Sequence, residues 1–116
     1  MKVKVGQWVR FKDNTIHLVS EVIGLIEFCY DMEKTSWGSS SRVTTIDSIV
    51  KVANTPQELI EVGDLVKFKS NKETYRFIEN ETQIQVYKDG WIMNNITEIW
   101  TKTSENTFTR QWSDDE

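Results

Sequence analysis

The 116 residues include one cysteine, one histidine and one proline, and the five glycines stand apart from one another. Each scarcity excludes something. A lone Cys29 rules out an internal disulfide and fits a reducing compartment. With His17 the sole imidazole, a structural zinc site is excluded for a monomer, because zinc needs several ligands at definite spacing. Isolated glycines make no phosphate-cradling loop. No apolar run approaches 18 residues and no charged-then-apolar leader opens the chain, so neither membrane spanning nor secretion is expected, and a cytoplasmic protein is. A basic excess is missing too. Net charge is −4, with seven basic and seven acidic residues in 1–60 and seven basic and eleven acidic in 61–116. Three of those acids are Asp114, Asp115 and Glu116, so the body is near neutral and lacks the field that gathers phosphate-rich partners.

What the chain does have is a stretch written twice. Val5-Gly6-Gln7-Trp8-Val9-Arg10-Phe11-Lys12-Asp13-Asn14 returns 57 residues later as Val62-Gly63-Asp64-Leu65-Val66-Lys67-Phe68-Lys69-Ser70-Asn71, identical at six of ten positions. Apolar residues spaced by Arg and Lys, opened by glycine and closed by Asp/Ser-Asn, predict a half-buried strand entering a turn. A weaker repeat matches 43–49 to 93–99, a shift of 50, and its apolar residues at steps of three suit one tight helical turn. The seven-residue difference between the shifts then falls in a polar loop at 31–41.

Strands are expected at 7–12, 16–23, 25–30, 49–53 and 99–103, with an extra one at 107–112. Residues 74–79 and 83–88 read as a hairpin around Asn80-Glu81-Thr82, and Asp89-Gly90 as a further turn. Thr55 before Pro56 favours a short connector. The fold class is therefore all-β, with two tandem small barrels at 1–53 and 62–112, a connector at 54–61 and an acidic tail at 113–116. One larger barrel or sandwich is the alternative.

The succession strand, hairpin, strand, helical turn, strand resembles the small Src-homology-3-like (SH3-like) barrel. The segment from Asn54-Thr55-Pro56 through Leu59-Ile60-Glu61-Val62-Gly63-Asp64 resembles an element of small phage and prophage proteins of Gram-positive bacteria. The resemblance implies a phage setting and brings no known activity, cofactor or site residue.

Function is then sought in side chains the scaffold does not explain. Trp8 matches Leu65 and Trp100 matches Val50, which predicts core. Trp37 and Trp91 sit at or beside turns, and with Tyr30, Tyr75 and Tyr87 they are the candidate protein-binding face; the plainer reading has these rings filling a junction. Arg10, Lys12, Lys67, Lys69 and Lys72 are candidates for two cationic strips suited to nucleic acid, against the plainer reading of a strand's solvent face. Acids around Glu79, Glu81, Asp89 and the tail would suit an inhibitor that imitates phosphates. Cys29, between Phe28 and Tyr30, reads as a small buried hydrophobe and His17 as a surface or partly buried histidine. No catalytic group, cofactor or metal site is expected. The expectation is a non-enzymatic phage accessory protein, monomeric or homodimeric, binding a host or defence protein, with nucleic acid as the alternative partner.

Overall fold

The computed structural model describes residues 2–35 and 38–114, giving the backbone alone for 31–35, 38–41, 71 and 72. The chain divides into two units, Met1–Leu59 and Ile60–Glu116, each built on one antiparallel sheet. No helix among the described residues is long and apolar enough to cross a membrane.

The first unit runs β1 (Trp8–Phe11), β2 (Ile16–Val22), β3 (Glu27–Thr35), β4 (Gly38–Thr45), a 3-10 turn at Ile46–Ser48, β5 (Ile49–Ala53) and a second 3-10 turn at Pro56–Leu59. Its sheet has the order β4-β3-β2-β1-β5. Side chains alternate across a strand, so Val9 and Phe11 enter one core with Val19, Phe28 and Ile49. Trp8 and Arg10 take the other face.

The second unit runs β6 (Leu65–Phe68), β7 (Asn71–Phe77), α1 (Glu81–Asp89), a 3-10 turn at Met93–Asn95, β8 (Ile96–Ser104) and β9 (Thr107–Ser113), with sheet order β7-β6-β8-β9. Val66, Ile78, Ile84, Ile96 and Ile99 are buried there.

The repeated stretch makes the same hydrogen bonds in both units. The Gly6 N–H donates to the Val19 carbonyl at 3.0 Å, and that of Gly63 to Ile78 at 2.8 Å. The Lys4 N–H donates to Gln7 Oε1 at 2.8 Å, and that of Glu61 to Asp64 Oδ2 at 2.8 Å. The Lys12 N–H reaches the Ser48 carbonyl at 3.0 Å, and that of Lys69 the Asn95 carbonyl at 2.7 Å. Gly6 and Gly63 hold φ of +89° and +97°, a region closed to most side chains, which is why glycine stands at both.

Several sequence expectations need correction. The sheets are open rather than closed into barrels. The fold is mainly β, with 83–88 in α1 instead of the expected strand. Residues 31–41 are not a plain loop: β3 and β4 pair out to Thr35 opposite Gly38. The second repeat is out by one step of three. Phe11 pairs Ile49 as Phe68 pairs Ile96, and Val9 pairs Val52 as Val66 pairs Ile99, a shift of 47 and not 50. Apolar residues every third position slide onto one another, so the pattern alone does not fix the register. Trp100 thus answers to Ala53, since each lies opposite the first residue of its central strand, and Trp8 and Trp100 are half-buried rather than core. Arg10 is 3% exposed and off the solvent face, because the turn after Pro56 brings Leu59 over it. Its Nη1 donates to the Leu59 carbonyl at 3.2 Å and its Nη2 to Asn14 Oδ1 at 3.1 Å.

Candidate functional site

Where the repeated strand ends against the 3-10 turn, each unit opens a cleft. In the first unit it is about 500 Å³ and is bordered by Phe11, Tyr30, Thr44, Ser48 and the charged Lys12, Asp13 and Asp47. In the second it is about 270 Å³, bordered by Phe68, Tyr87, Ile92, Asn95, Ser70, Thr74 and Arg76. Phe11 and Phe68 are the same position of the repeat. Ser48 and Asn95 are also equivalent, as the backbone bonds from Lys12 and Lys69 show.

The floors match closely. The rings of Phe11 and Tyr30 meet edge to face, 4.9 Å apart at 77°, and those of Phe68 and Tyr87 at 5.2 Å and 80°. Such pairs hold ring orientation beyond what burial alone supplies. The two tyrosines reach their places from different elements, Tyr30 from β3 and Tyr87 from α1. Beside them, His17 and Arg76 face the central strand at equivalent points, opposite Val9 and Val66. His17 packs against Phe11 at 5.2 Å and Tyr30 at 4.6 Å.

Charge separates the two. The first cleft mixes one cation with two acids, and Asp13 already accepts from the Thr15 N–H and hydroxyl at 3.0 and 2.6 Å. Among the described residues the second is bordered by Arg76 alone of the charged side chains. Both offer an aromatic floor with a polar rim, the arrangement that holds an apolar side chain and fixes its neighbours by hydrogen bonds.

Trp91 is set apart by its backbone. It has φ +58° at the end of α1, its N–H donates to the Lys88 carbonyl at 3.2 Å, and the Ile92 N–H donates to Tyr87 at 3.0 Å. This is the Schellman pattern, in which the left-handed place usually belongs to glycine. Gly90 stands one position earlier, where an added Cβ would lie 3.1 Å from the Val86 carbonyl. Trp91 is 84% exposed, so a large ring is kept in water on a strained backbone.

The other sequence candidates scatter. Tyr75 lies on the opposite face of the second sheet, edge-on to Trp100 at 5.7 Å with Lys67 Nζ 4.4 Å above its ring. Lys67 also approaches Glu98 at 4.0 Å. Lys69 is exposed, and Trp37 and the Lys72 side chain lie outside the described residues. Glu79 and Glu81 sit at the start of α1 and Asp89 at its end, about 12 Å apart along the axis.

Among the described residues no three His, Cys, Asp or Glu converge as metal ligands would. Cys29 and Tyr30 are neighbours on β3 and face opposite ways, so the thiol points away from His17. Burial, then the charge of the Glu21 carboxylate and the hydrogen bond it accepts from Sγ at 3.9 Å, push the thiol pKa up.

Phe11, Phe68 and Arg76 were not site candidates from sequence. A signal existed: Phe11 to Phe68 and Tyr30 to Tyr87 are both steps of 57. No family model matches this chain, and no curated protein or solved structure does either.

Proposed function

We propose that the chain is a non-enzymatic protein-binding module, a phage or prophage accessory protein acting on a host or defence protein in the cytoplasm of a bacterial cell. One observation carries this: the same cleft, with the same edge-to-face Phe–Tyr floor, stands at the same place in both units. A packing accident has no reason to occur twice. The sequence keeps a tyrosine there even where a strand gives way to a helix. Two such sites on one chain can each anchor a side chain of one partner, and linkage then raises the effective concentration of the second contact. The strained, exposed Trp91 directly precedes Ile92, which borders the second site.

The same reading includes descent of both units from one duplicated SH3-like ancestor. The shared hydrogen bonds of 4–12 and 61–69 and the strand order of the first unit support it. In the second unit α1 replaces the β3–β4 hairpin and β9 is added beside β8.

Photo-crosslinking tests the proposal. A photoreactive residue at Asn95 or Ser48 is expected to capture one protein from host lysate. The same residue at Glu105, on the β8–β9 turn, is expected to capture none. Equal labelling from all three positions counts against it.

One observation favours a second reading. Tyr75 at 44% exposure, Phe77 at 48%, Trp100, Lys67 and Arg110 share the outer face of the second sheet, a stacking surface with cations for single-stranded nucleic acid. Salt-dependent binding lost on Arg110→Glu would favour it.

A further inference from the structure

We infer that the cleft of the second unit is a carboxylate site, taking the ionised carboxyl of a ligand whose apolar body rests on Phe68 and Tyr87. The inference rests on the protein-binding reading and names the chemistry one of its two sites selects. Among the described residues Arg76 is the only charged side chain bordering this cleft, and it makes no ion pair with another of them. A planar guanidinium beside apolar surface matches a carboxylate, which it grips through two parallel bonds. The rim supplies further donors: the hydroxyls of Ser70 and Thr74 and the Asn95 amide. The Tyr87 hydroxyl accepts from Gln83 Nε2 at 2.8 Å, which leaves its own proton free to donate.

Size and charge narrow the ligand. About 270 Å³ lies just under the range of sites for drug-sized molecules, so one apolar residue fills it. A single cation balances a monoanion; a phosphate dianion would leave a charge unpaired against apolar walls. The first unit is an internal control, because its equivalent position is His17 and its one cation, Lys12, is outnumbered by Asp13 and Asp47. An anion gains nothing there.

The three tyrosines make the test direct. The full chain labelled with 3-fluorotyrosine gives one fluorine signal each for Tyr30, Tyr75 and Tyr87. Titration with N-acetylphenylalanine is expected to move the Tyr87 signal and leave Tyr30 in place. Its uncharged amide is expected to bind at least about tenfold more weakly, the loss of one charged hydrogen-bonded pair. Arg76→Gln removes that preference and Arg76→Lys keeps part of it; Arg76 is exposed, and a melting curve checks that both variants stay folded. A blocked Glu-Phe amide separates the sources of the carboxylate. Binding as tight as the free acid assigns a side-chain carboxylate, and weaker binding a chain terminus. The inference is overturned if acid and amide bind alike, if phenyl phosphate binds more tightly than the acid, or if no probe moves Tyr87 up to about 10 mM, above the Kd expected of so small a ligand. Those results leave the crosslinking outcome at Asn95 and Ser48 untouched, so the two readings fail separately.

Discussion

Single residues carry two readable tensions. Trp91 occupies a left-handed backbone position that costs a side-chain-bearing residue about 1–2 kcal/mol. Trp91→Gly is therefore expected to raise stability by about 1 kcal/mol in chemical denaturation while weakening partner capture; a loss of stability would mean that the ring packs rather than waits. Cys29 is the second. Its thiol holds its proton more tightly folded than unfolded. The folded state therefore binds more protons between the two pKa values. The resulting stability is complete below the unfolded thiol's pKa and is lost as pH rises toward the folded one. Glu21→Gln removes two of the causes, so the pH midpoint of Cys29 alkylation is expected to move down. An unchanged midpoint would leave burial as the whole cause. The buried character of Cys29 was legible in its apolar neighbours. The burial of Arg10 was not, because only the fold shows that Leu59 covers it.

Among elements, the repeated strands were legible and α1 was not. Val-x-Phe alternation announces β1 and β6 wherever they lie. Gln83-Ile84-Gln85-Val86-Tyr87-Lys88 alternates just as well, yet forms a helix whose Ile84 and Tyr87 are buried three apart, with Val86 in water. The better signal was the cap. Asn80 Oδ1 accepts from the Gln83 N–H at 2.9 Å, and Gln83 Oε1 accepts from the N–H of Glu79, one residue before the cap, at 3.0 Å, a variant of the capping box that Asn-x-x-Gln suggests. Asn80→Ala is expected to cost about 1 kcal/mol, read from an urea melt, and Asn80→Asp to cost little. Because α1 carries Tyr87, the Ala variant should also loosen the second cleft while sparing the first. The β3–β4 hairpin escaped notice for the opposite reason. Met32 apart, residues 31–35 and 38–41 are polar or glycine, so no apolar face marks a pair held by backbone bonds.

For the whole molecule, the repeat was legible and its register was not. A stretch identical at six of ten positions matches β1 with β6, and the two stretches make matching backbone bonds at 6 and 63 and at 12 and 69. Residues at steps of three left 46–52 and 93–99 free to slide, and only strand pairing sets the shift at 47. With the register corrected, two clefts coincide where sequence reasoning had a scatter of aromatic residues. A module that binds through both should feel its partner at both floors and nowhere else. The most direct measurement is the fluorine spectrum of the 3-fluorotyrosine chain before and after addition of the crosslinked partner. Movement of Tyr30 and Tyr87 with Tyr75 unchanged is the expected result. Movement of Tyr75 alone would place the contact on the outer face of the second sheet and contradict the twin-cleft reading.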